Sequence, residues 1–304
     1  MDAETAADIV VIGAGISGLG VAVEAARRGF SVVLLERLDS LAAGTSANSL
    51  KIIHGGFRYL QTLAIGRVLS SCAAQAQLVR KNPQLFSPLP CLMSLKKYGL
   101  RSKYPVSAAI TVFRVIAAGL HWPPKDNLPQ LRTNLTDSEL LCGSSTPALQ
   151  WWDWQLSSHE SLAEHLAQEG QQNGVKIELG ALVTAVKTGS QSAQVELESG
   201  RIVRARLVID CRGSGVRSNK VKSHAVAFNL ILNKALDPIY GVGFTVANRL
   251  LFAVPRRIAK PNGAVGLVSG AVGTWYLPSV KFSPGVLHGE KPEISEQQID
   301  LALG

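Results

Sequence analysis

A chain of 304 residues, 46% of them apolar and only 17% charged, has material for one large or two ordinary domains with substantial cores, which excludes an intrinsically disordered protein. A formal net charge of +9 suits an anionic partner, but apart from Lys96, Lys97, Arg101 and Lys103 the basic residues are scattered and no aromatic residues interleave them, so no nucleic-acid partner is expected. The four cysteines, Cys72, Cys91, Cys142 and Cys211, lie far apart without CxxC or Cys/His spacing, which argues against a zinc site or a disulfide framework and for a reducing, cytoplasmic setting.

Met1 to Ala7 is short and acidic, so no secretory signal is expected. The segment from Asp8 to Glu36 reads as a buried strand, a Gly13-x-Gly15-x-x-Gly18 turn, a small-residue helix, a second apolar strand and a closing acid. Each part has a separate task in holding a dinucleotide. Gly13 allows the tight turn, Gly15 lets backbone N–H groups approach a pyrophosphate, and Gly18 lets the helix pack close to the sheet. The helix N-terminus faces the phosphate charge, and Glu36 is placed to accept hydrogen bonds from ribose hydroxyls. An ordinary βαβ unit with glycine-rich packing is the plainer reading, and the unit by itself does not choose between a nicotinamide and a flavin. Arg37 is read either as a contact to a 2′-phosphate or as a solvated side chain.

A loop rich in Gly, Ser, Thr and Asn follows from Leu38 to Gly56, then a helix from Leu60 to Lys81 that Asn82-Pro83 ends. Residues 83–150 carry eight prolines around one apolar helix near 106–119 and read as an irregular insertion covering a sheet. Val106 to Trp122 is the nearest thing to a membrane segment, but Arg114 interrupts it and it is shorter than the ~20 apolar residues a span needs; it suits a helix lying on a bilayer. The basic cluster before it is either a solvated face or a surface for a membrane or an anionic substrate. A helix begins at Ser157 or Ser158, where Ser157-x-x-Glu160 is a capping-box pattern, and stops at Gly174. Short strands are expected at 175–179, 182–187, 194–198 and 201–205, the last two forming a hairpin through Ser199-Gly200, and a further strand from Leu207 to Asp210 runs into Cys211-Arg212-Gly213. That glycine turn brings a second stretch of backbone to the same ligand, and a meander of this kind is typical of FAD domains. Beyond Ala225 the pattern alternates (226–232, 249–254, 264–269) and predicts a separate antiparallel sheet.

The stretch from Gly44 to Leu60, GTSANSLKIIHGGFRYL, combines hydroxyls, a lysine, a glycine pair and an Arg-Tyr pair. It resembles the pattern GTSxxSxKLIHGGxRYL of the FAD-dependent glycerol-3-phosphate dehydrogenases, members of the D-amino-acid-oxidase-like superfamily. The likeness is strongest from Ile9 to Leu60 and returns at Arg206–Gly213, at Leu251–Thr274, where Phe252-Ala253-Val254-Pro255 and Gly273-Thr274 are similar to the strand pair beside the substrate, and in the tail near Ile294–Leu301. It implies an α/β fold: a Rossmann-like FAD-binding domain, a parallel sheet with a β-meander, built from residues 1–70 and 152–222, and a second, α+β substrate domain with an antiparallel sheet built from 71–151 and 223–288. A terminal helix would occupy 289–304, and the family's C-terminal part, with its Gly-x-Arg-Pro-Leu and Gly-Lys-x-Thr-Thr segments, is absent from this sequence.

The resemblance also implies roles. Gly13, Gly15, Gly18 and Glu36, with Arg37 beside it, hold the ADP part of FAD. Thr45, Ser46, Ser49 and Lys51 line the pyrophosphate and isoalloxazine, Gly55 and Gly56 allow the flavin close approach, Val183 contacts adenine through its backbone, and Gly213 closes the second glycine turn. Arg58 and Tyr59 meet a substrate phosphate, which suits the forked donors of a guanidinium. His224 is the candidate base, Thr274 a candidate hydrogen-bond partner of substrate, and His54 packs against the ring or its loop. The expected reaction is oxidation of a small secondary alcohol, sn-glycerol 3-phosphate to dihydroxyacetone phosphate, with electrons passed to a quinone and peripheral contact with the cytoplasmic membrane face. Three other readings stand beside it: a flavin amine or amino-acid oxidase of the same superfamily, a catalytically inactive flavin-binding remnant, and an NAD-dependent dehydrogenase resting on the βαβ unit alone. Departures from the family pattern fall at Ser158-His159-Glu160-Ser161-Leu162, Arg256 and Cys211-Arg212-Gly213, and weaken the substrate assignment more than the cofactor one.

Overall fold

A computed structural model describes residues 5–133, 135, 147–213, 225–233, 240–246, 249–259 and 265–278. They divide into two compact units, one containing residues 5–49 and 159–213 and the other 50–133, 147–158 and the stretches between 225 and 278. The expected terminal helix at 289–304 lies outside the described residues.

The first unit begins with β1 (Thr5–Ile12), α1 (Ile16–Arg27) and β2 (Val32–Leu35). Numbering along the whole chain, it resumes with α4 (His159–Gln172), β7 (Lys176–Glu178), β8 (Val183–Thr188), β9 (Ala193–Leu197) and β10 (Ile202–Asp210). The sheet order is β7-β2-β1-β10-β9-β8, with parallel pairing from β7 to β10 and an antiparallel meander from β10 to β8. Both faces of β1 are covered, which is why it reads as an unbroken apolar run. Ile9 and Val11 pack with Leu19, Ala22, Ala26, Ala163 and Ala167 of the two helices, while Val10 and Ile12 join Val33, Leu35, Val195 and Val203 on the other side. The small residues let α1 and α4 lie close, and an Arg27–Glu169 ion pair links them. Each helix ends the same way, because a glycine in the left-handed region follows it: Gly29 (φ 86°) donates to Ala26 O and Phe30 N to Ala25 O, and Gly174 (φ 89°) donates to Gln171 O and Val175 N to Gly170 O. The expected pair of strands at 201–205 and 207–210 is one continuous strand, β10, because its first half pairs with β9 and its whole length with β1.

The second unit holds β3 (Ile52–Ile53), a 3-10 helix (Phe57–Thr62), α2 (Ile65–Lys81), β4 (Phe86–Ser94), α3 (Lys103–Leu120), β5 (Gln130–Arg132), β6 (Ala148–Leu156), β11 (Ala225–Ile231), β12 (Gly241–Val246), β13 (Arg249–Ala259) and β14 (Val265–Pro278). Its sheet runs β11-β14-β13-β12-β4-β6-β3, with β5 also on β6; β12 and β4 are parallel and the other pairs antiparallel.

Here several expectations are corrected. Residues 83–150 are not a covering insertion: β4 and β6 are interior strands of the sheet, paired from Phe86↔Leu156 to Ser94↔Ala148. Two prolines, Pro88 and Pro90, argued against a strand, but they share one parity, so both missing donors fall along one edge of β4, and β12 pairs β4 only past them, at Cys91, Leu92 and Met93. The helix expected from Leu60 starts as a 3-10 turn and becomes α-helical only at Ile65, after Leu63 takes a left-handed conformation (φ 52°). Ser157 does not cap α4 in the manner of a capping box; its Oγ donates to Leu85 O at 3.0 Å and its N–H to the same carbonyl, which ties it to the end of β6. Residues 50–70 and 152–158, expected in the nucleotide-binding domain, belong to this second unit because β3 and β6 pair within its sheet.

Leu92 is fully buried. If β4 is interior, Leu92→Ala lowers unfolding free energy by about 2–5 kcal/mol in chemical denaturation; a loss well under 1 kcal/mol would return this segment to the role of a cover.

Candidate functional site

In the first unit the predicted nucleotide residues converge on the turn between β1 and α1. Gly13 takes φ 100°, open to glycine alone at little cost, and its N–H donates to Leu35 O at 2.7 Å. A Cβ there would lie 2.9 Å from Cys211 O, and a Cβ at Gly18 would lie 1.9 Å from Gly13 O. Gly13 and Gly18 are therefore required by packing, one against the Cys211 turn and the other against the turn itself. Gly15 caps α1 without a side-chain hydrogen bond, and no acid stands in the first turn of the helix.

Glu36 is buried and its carboxylate organises this turn. One oxygen accepts the Ala14 N–H at 2.7 Å and the other the Leu38 N–H at 3.0 Å. Each oxygen retains a lone pair for a ribose hydroxyl, so the acid serves the turn and the expected ligand together. Around it, Ala181 N donates to Glu36 O and Gly180 N to Leu38 O, which brings the start of β8 alongside; the Val183 side chain packs in the core beneath. Arg37 is exposed.

The hydroxyl-rich loop folds back on the same turn. Ala42 N donates to Ala14 O at 3.0 Å, and Ser46 Oγ accepts the Ile16 N–H at 3.3 Å and lies 3.5 Å from the position of a Cβ on Gly15. Ser49 Oγ donates to Ser46 O, and Thr45, exposed, begins the turn whose carbonyl receives Asn48 N. Opposite, Cys211 N donates to Ile12 O, Arg212 is held by Asp210 (Nη2 to Oδ2, 2.6 Å), and Gly213 takes φ 65°. The Arg212 guanidinium holds the Asp210 carboxyl below its usual range. Donor-rich backbone, a helix N-terminus free of acids, a buried acid and no Cβ at the narrowest point fit the ADP end of a dinucleotide.

The remaining predicted residues belong to the second unit. Lys51 takes a left-handed conformation (φ 59°) and its carbonyl accepts Leu156 N. Gly55 and Gly56 pack against α2: a Cβ would lie 3.1 Å from Gln75 Oε1 at the first and 2.8 Å from Ser71 Cβ at the second, where φ is 81°. Their smallness is thus demanded by helix packing as well as by any ligand. Gln75 is buried, donates to Ile53 O and accepts from Trp122 Nε1. Tyr59 packs with Leu60, Val68 and Phe113, with Arg67 over its ring. Arg58 lies in the 3-10 helix, its side chain outside the described residues. Thr274 lies on β14 one residue beyond Gly273, which pairs with Phe252 as the resemblance implied; its side chain is also outside the description, as is all of His224.

Two buried groups that bond to the segment around Gly55 escaped the sequence reading. Asp153, a lone acid within the run WWDW, is buried, accepts from Gly55 N (3.0 Å) and Trp151 Nε1 (3.2 Å), and is hydrogen-bonded to His54 Nδ1 at 2.8 Å. Cys72 donates to Gly55 O at 3.0 Å, and burial, with the charge of Asp153 added, pushes its thiol up to about 11. Among the described residues no cluster of His, Cys, Asp and Glu could hold a metal ion.

Residues 8–282 match the family model described as DAO, FAD dependent oxidoreductase. The chain is 36% identical over 110 residues to the aerobic glycerol-3-phosphate dehydrogenase of Staphylococcus saprophyticus, covering 36% of this chain and 20% of that enzyme. It is 26% identical over 268 residues to the enzyme of the same name from Staphylococcus haemolyticus, covering 82% of this chain and 48% of the relative. The chain thus spans less than half the length of these relatives. Among solved structures, L-alpha-glycerophosphate oxidase from Mycoplasma pneumoniae with FAD bound superposes with a TM-score of 0.62 at 17% identity (91% of this chain, 73% of that one). L-amino acid deaminase from Proteus vulgaris gives 0.62 at 13% identity (89% and 61%). At these identities the structural likeness is one of fold.

Two outcomes follow from the geometry. Gly18→Ala forces the Gly13 carbonyl to move and weakens FAD binding roughly tenfold or more, a difference of ~1.4 kcal/mol, in a fluorescence titration; unchanged affinity would remove the turn from the binding site. Because the folded Cys72 holds its proton to about 11 against the usual 9.0, folding stability is untouched below pH 9 and falls as pH rises from there through 11; the thiol also resists alkylation in native protein at pH 8. Rapid native alkylation of Cys72 would contradict that placement.

Proposed function

The chain belongs to the FAD dependent oxidoreductase family, and from that premise we propose that it oxidises a small secondary alcohol, sn-glycerol 3-phosphate to dihydroxyacetone phosphate, with electrons passing on to a quinone. The observation that carries this reading is the stretch Gly44–Leu60. Its first part lies against the Gly13–Gly18 turn through Ser46, and its second part presents Lys51, His54, Arg58 and Tyr59 in sequence positions that resemble the glycerol-3-phosphate dehydrogenases. A relative bearing that name, similar over 82% of the chain, supports it.

FAD, held there, would supply the hydride acceptor for the alcohol carbon. The residues do the rest. Gly13, Gly15, Gly18, Glu36 and Ser46 hold the ADP end, with the backbone at Val183 and Gly213 beside it, while Thr45, Ser49 and Lys51 continue toward the pyrophosphate and ring. Arg58 and Tyr59 bind the substrate phosphate and so orient the carbinol. The hydroxyl proton must go to a base as hydride leaves, which leaves a neutral ketone. His224 is one candidate. His54 is the other: its Nδ1 is tied to a buried carboxylate and its side chain is 66% exposed, which supports Nε2 as the nitrogen that takes the proton. Thr274 remains the proposed hydrogen-bond partner of the substrate.

A second reading keeps the fold and changes the substrate to an amino acid, since the deaminase of Proteus vulgaris superposes as well as the glycerophosphate oxidase. Anaerobic mixing of the FAD-loaded chain with each substrate separates them. The visible flavin band bleaches with glycerol 3-phosphate and stays unchanged with amino acids; bleaching by amino acids alone overturns the proposed substrate.

For the acceptor side we place the membrane contact on α3. It is long and apolar enough to cross a bilayer, yet Val106, Ile110, Phe113 and Ala117 form a buried stripe, which supports a helix lying on the unit. Tyr98, Leu100 and Tyr104 are exposed within the stretch that carries Lys96, Lys97, Arg101 and Lys103, Val112 and Val115 are exposed on α3, and no Asp or Glu occurs between Asp39 and Asp126. At ~1 kcal/mol per basic residue, replacing those four by Gln lowers partitioning onto phosphatidylserine vesicles by roughly 10²–10³-fold in co-sedimentation. Equal partitioning of both proteins would sink this placement.

A further inference from the structure

Asp153 is the most deeply buried carboxylate among the described residues, 3% exposed, and the proposed chemistry leaves it without a part. It sits on β6 between Trp152 and Trp154, opposite the fully buried Leu89 of β4. An acid in such a place is destabilising unless donors offset the lost hydration, and an apolar residue of similar volume would commonly serve stability as well. Three nitrogens surround this one. Oδ1 accepts the Gly55 N–H, Oδ2 accepts from Trp151 Nε1, and His54 Nδ1 lies 2.8 Å from Oδ2. The carboxylate therefore grips two consecutive residues, the ring of His54 and the backbone of Gly55.

The backbone it grips is fixed from the other side as well. Gln75 Nε2 donates to Ile53 O at 2.6 Å and Cys72 Sγ donates to Gly55 O, so α2 holds the carbonyls that flank His54. Gly55 N–H and Trp151 Nε1–H already donate to its two oxygens, so the Asp153 side chain presents acceptors to Nδ1, and a ring bonded to it carries its proton there.

We propose that Asp153 is the positioning residue for His54, holding its imidazole in one orientation and in the Nδ1–H tautomer so that Nε2 is the proton acceptor. The inference rests on the reading of His54 as the base, but its physical content is the tautomer, which can be measured without turnover. An Asn at 153 cannot satisfy all three donors: with its oxygen toward Gly55, its amide faces the ring and favours the opposite tautomer; with its oxygen toward the ring, it opposes the Gly55 N–H.

The test uses the full chain loaded with FAD and labelled with ¹⁵N-histidine. In the wild type the neutral His54 ring shows the Nδ1–H tautomer in long-range ¹H–¹⁵N spectra. Asp153→Asn moves it toward Nε2–H, and kcat for glycerol 3-phosphate falls roughly 10²-fold or more while KM changes little. Trp151→Phe removes one donor to the carboxylate and leaves the His54 tautomer unchanged. An unaltered tautomer in Asp153→Asn, or a mixture of tautomers in the wild type, overturns the proposal; the wild-type spectrum decides even if the Asn variant does not fold. A shifted tautomer with unchanged kcat upholds the hold of Asp153 on the ring and refutes His54 as the base.

Discussion

The closeness of α1 to the turn before it is the constraint on which the first unit depends. The Gly13 carbonyl oxygen occupies space that any side chain at position 18 would need, so the helix begins hard against β1. Ser46 Oγ then accepts the Ile16 N–H at the start of α1, and the carboxylate of Glu36 locks the turn from the neighbouring strand through Ala14. Cys211 closes it from β10, the strand on the other side of β1. Three segments far apart in sequence thus converge on one glycine-rich bend, and each makes the others necessary.

The second unit organises its chemistry by a different principle. Its key segment, residues 51–59, has little regular structure beyond a two-residue strand on β6 and the start of the 3-10 helix. Order comes instead from buried polar groups: Asp153 from the sheet, Gln75 and Cys72 from α2, each bonded to the backbone between Ile53 and Gly55. Such groups are costly to bury, and they are satisfied here almost entirely by that segment and by tryptophan N–H donors. A loop held this way can present polar side chains in a fixed geometry without being part of a strand or helix.

The legibility of these features in the sequence follows their range. The glycine turn, the small-residue helix and the acid at position 36 are local signals with fixed spacing, and the elements from Thr5 to Leu35 form as the residues indicate. The interior strands β4 and β6 were hidden because burial on both faces erases alternation and because Pro88 and Pro90 suggested a loop, when their effect depends on which edge of the strand has a partner. Ser157 carried the correct capping pattern, but a tertiary acceptor, Leu85 O, took its hydroxyl. The roles of Gly55 and Gly56 in packing against α2, and that of Asp153 in holding His54, rest on contacts between residues distant in sequence. The run WWDW contained the one clue, an acid where every neighbour is large and apolar.

The account stands on the claim that the Gly13–Gly18 bend, Glu36 and Ser46 grip the adenosine diphosphate end of FAD. Calorimetric titration of the purified chain with FAD, repeated in the presence of saturating ADP, tests this most directly. The account predicts one FAD bound per chain, with affinity strongly reduced by ADP. A folded chain that takes up no FAD, or whose uptake of FAD is indifferent to ADP, would contradict it.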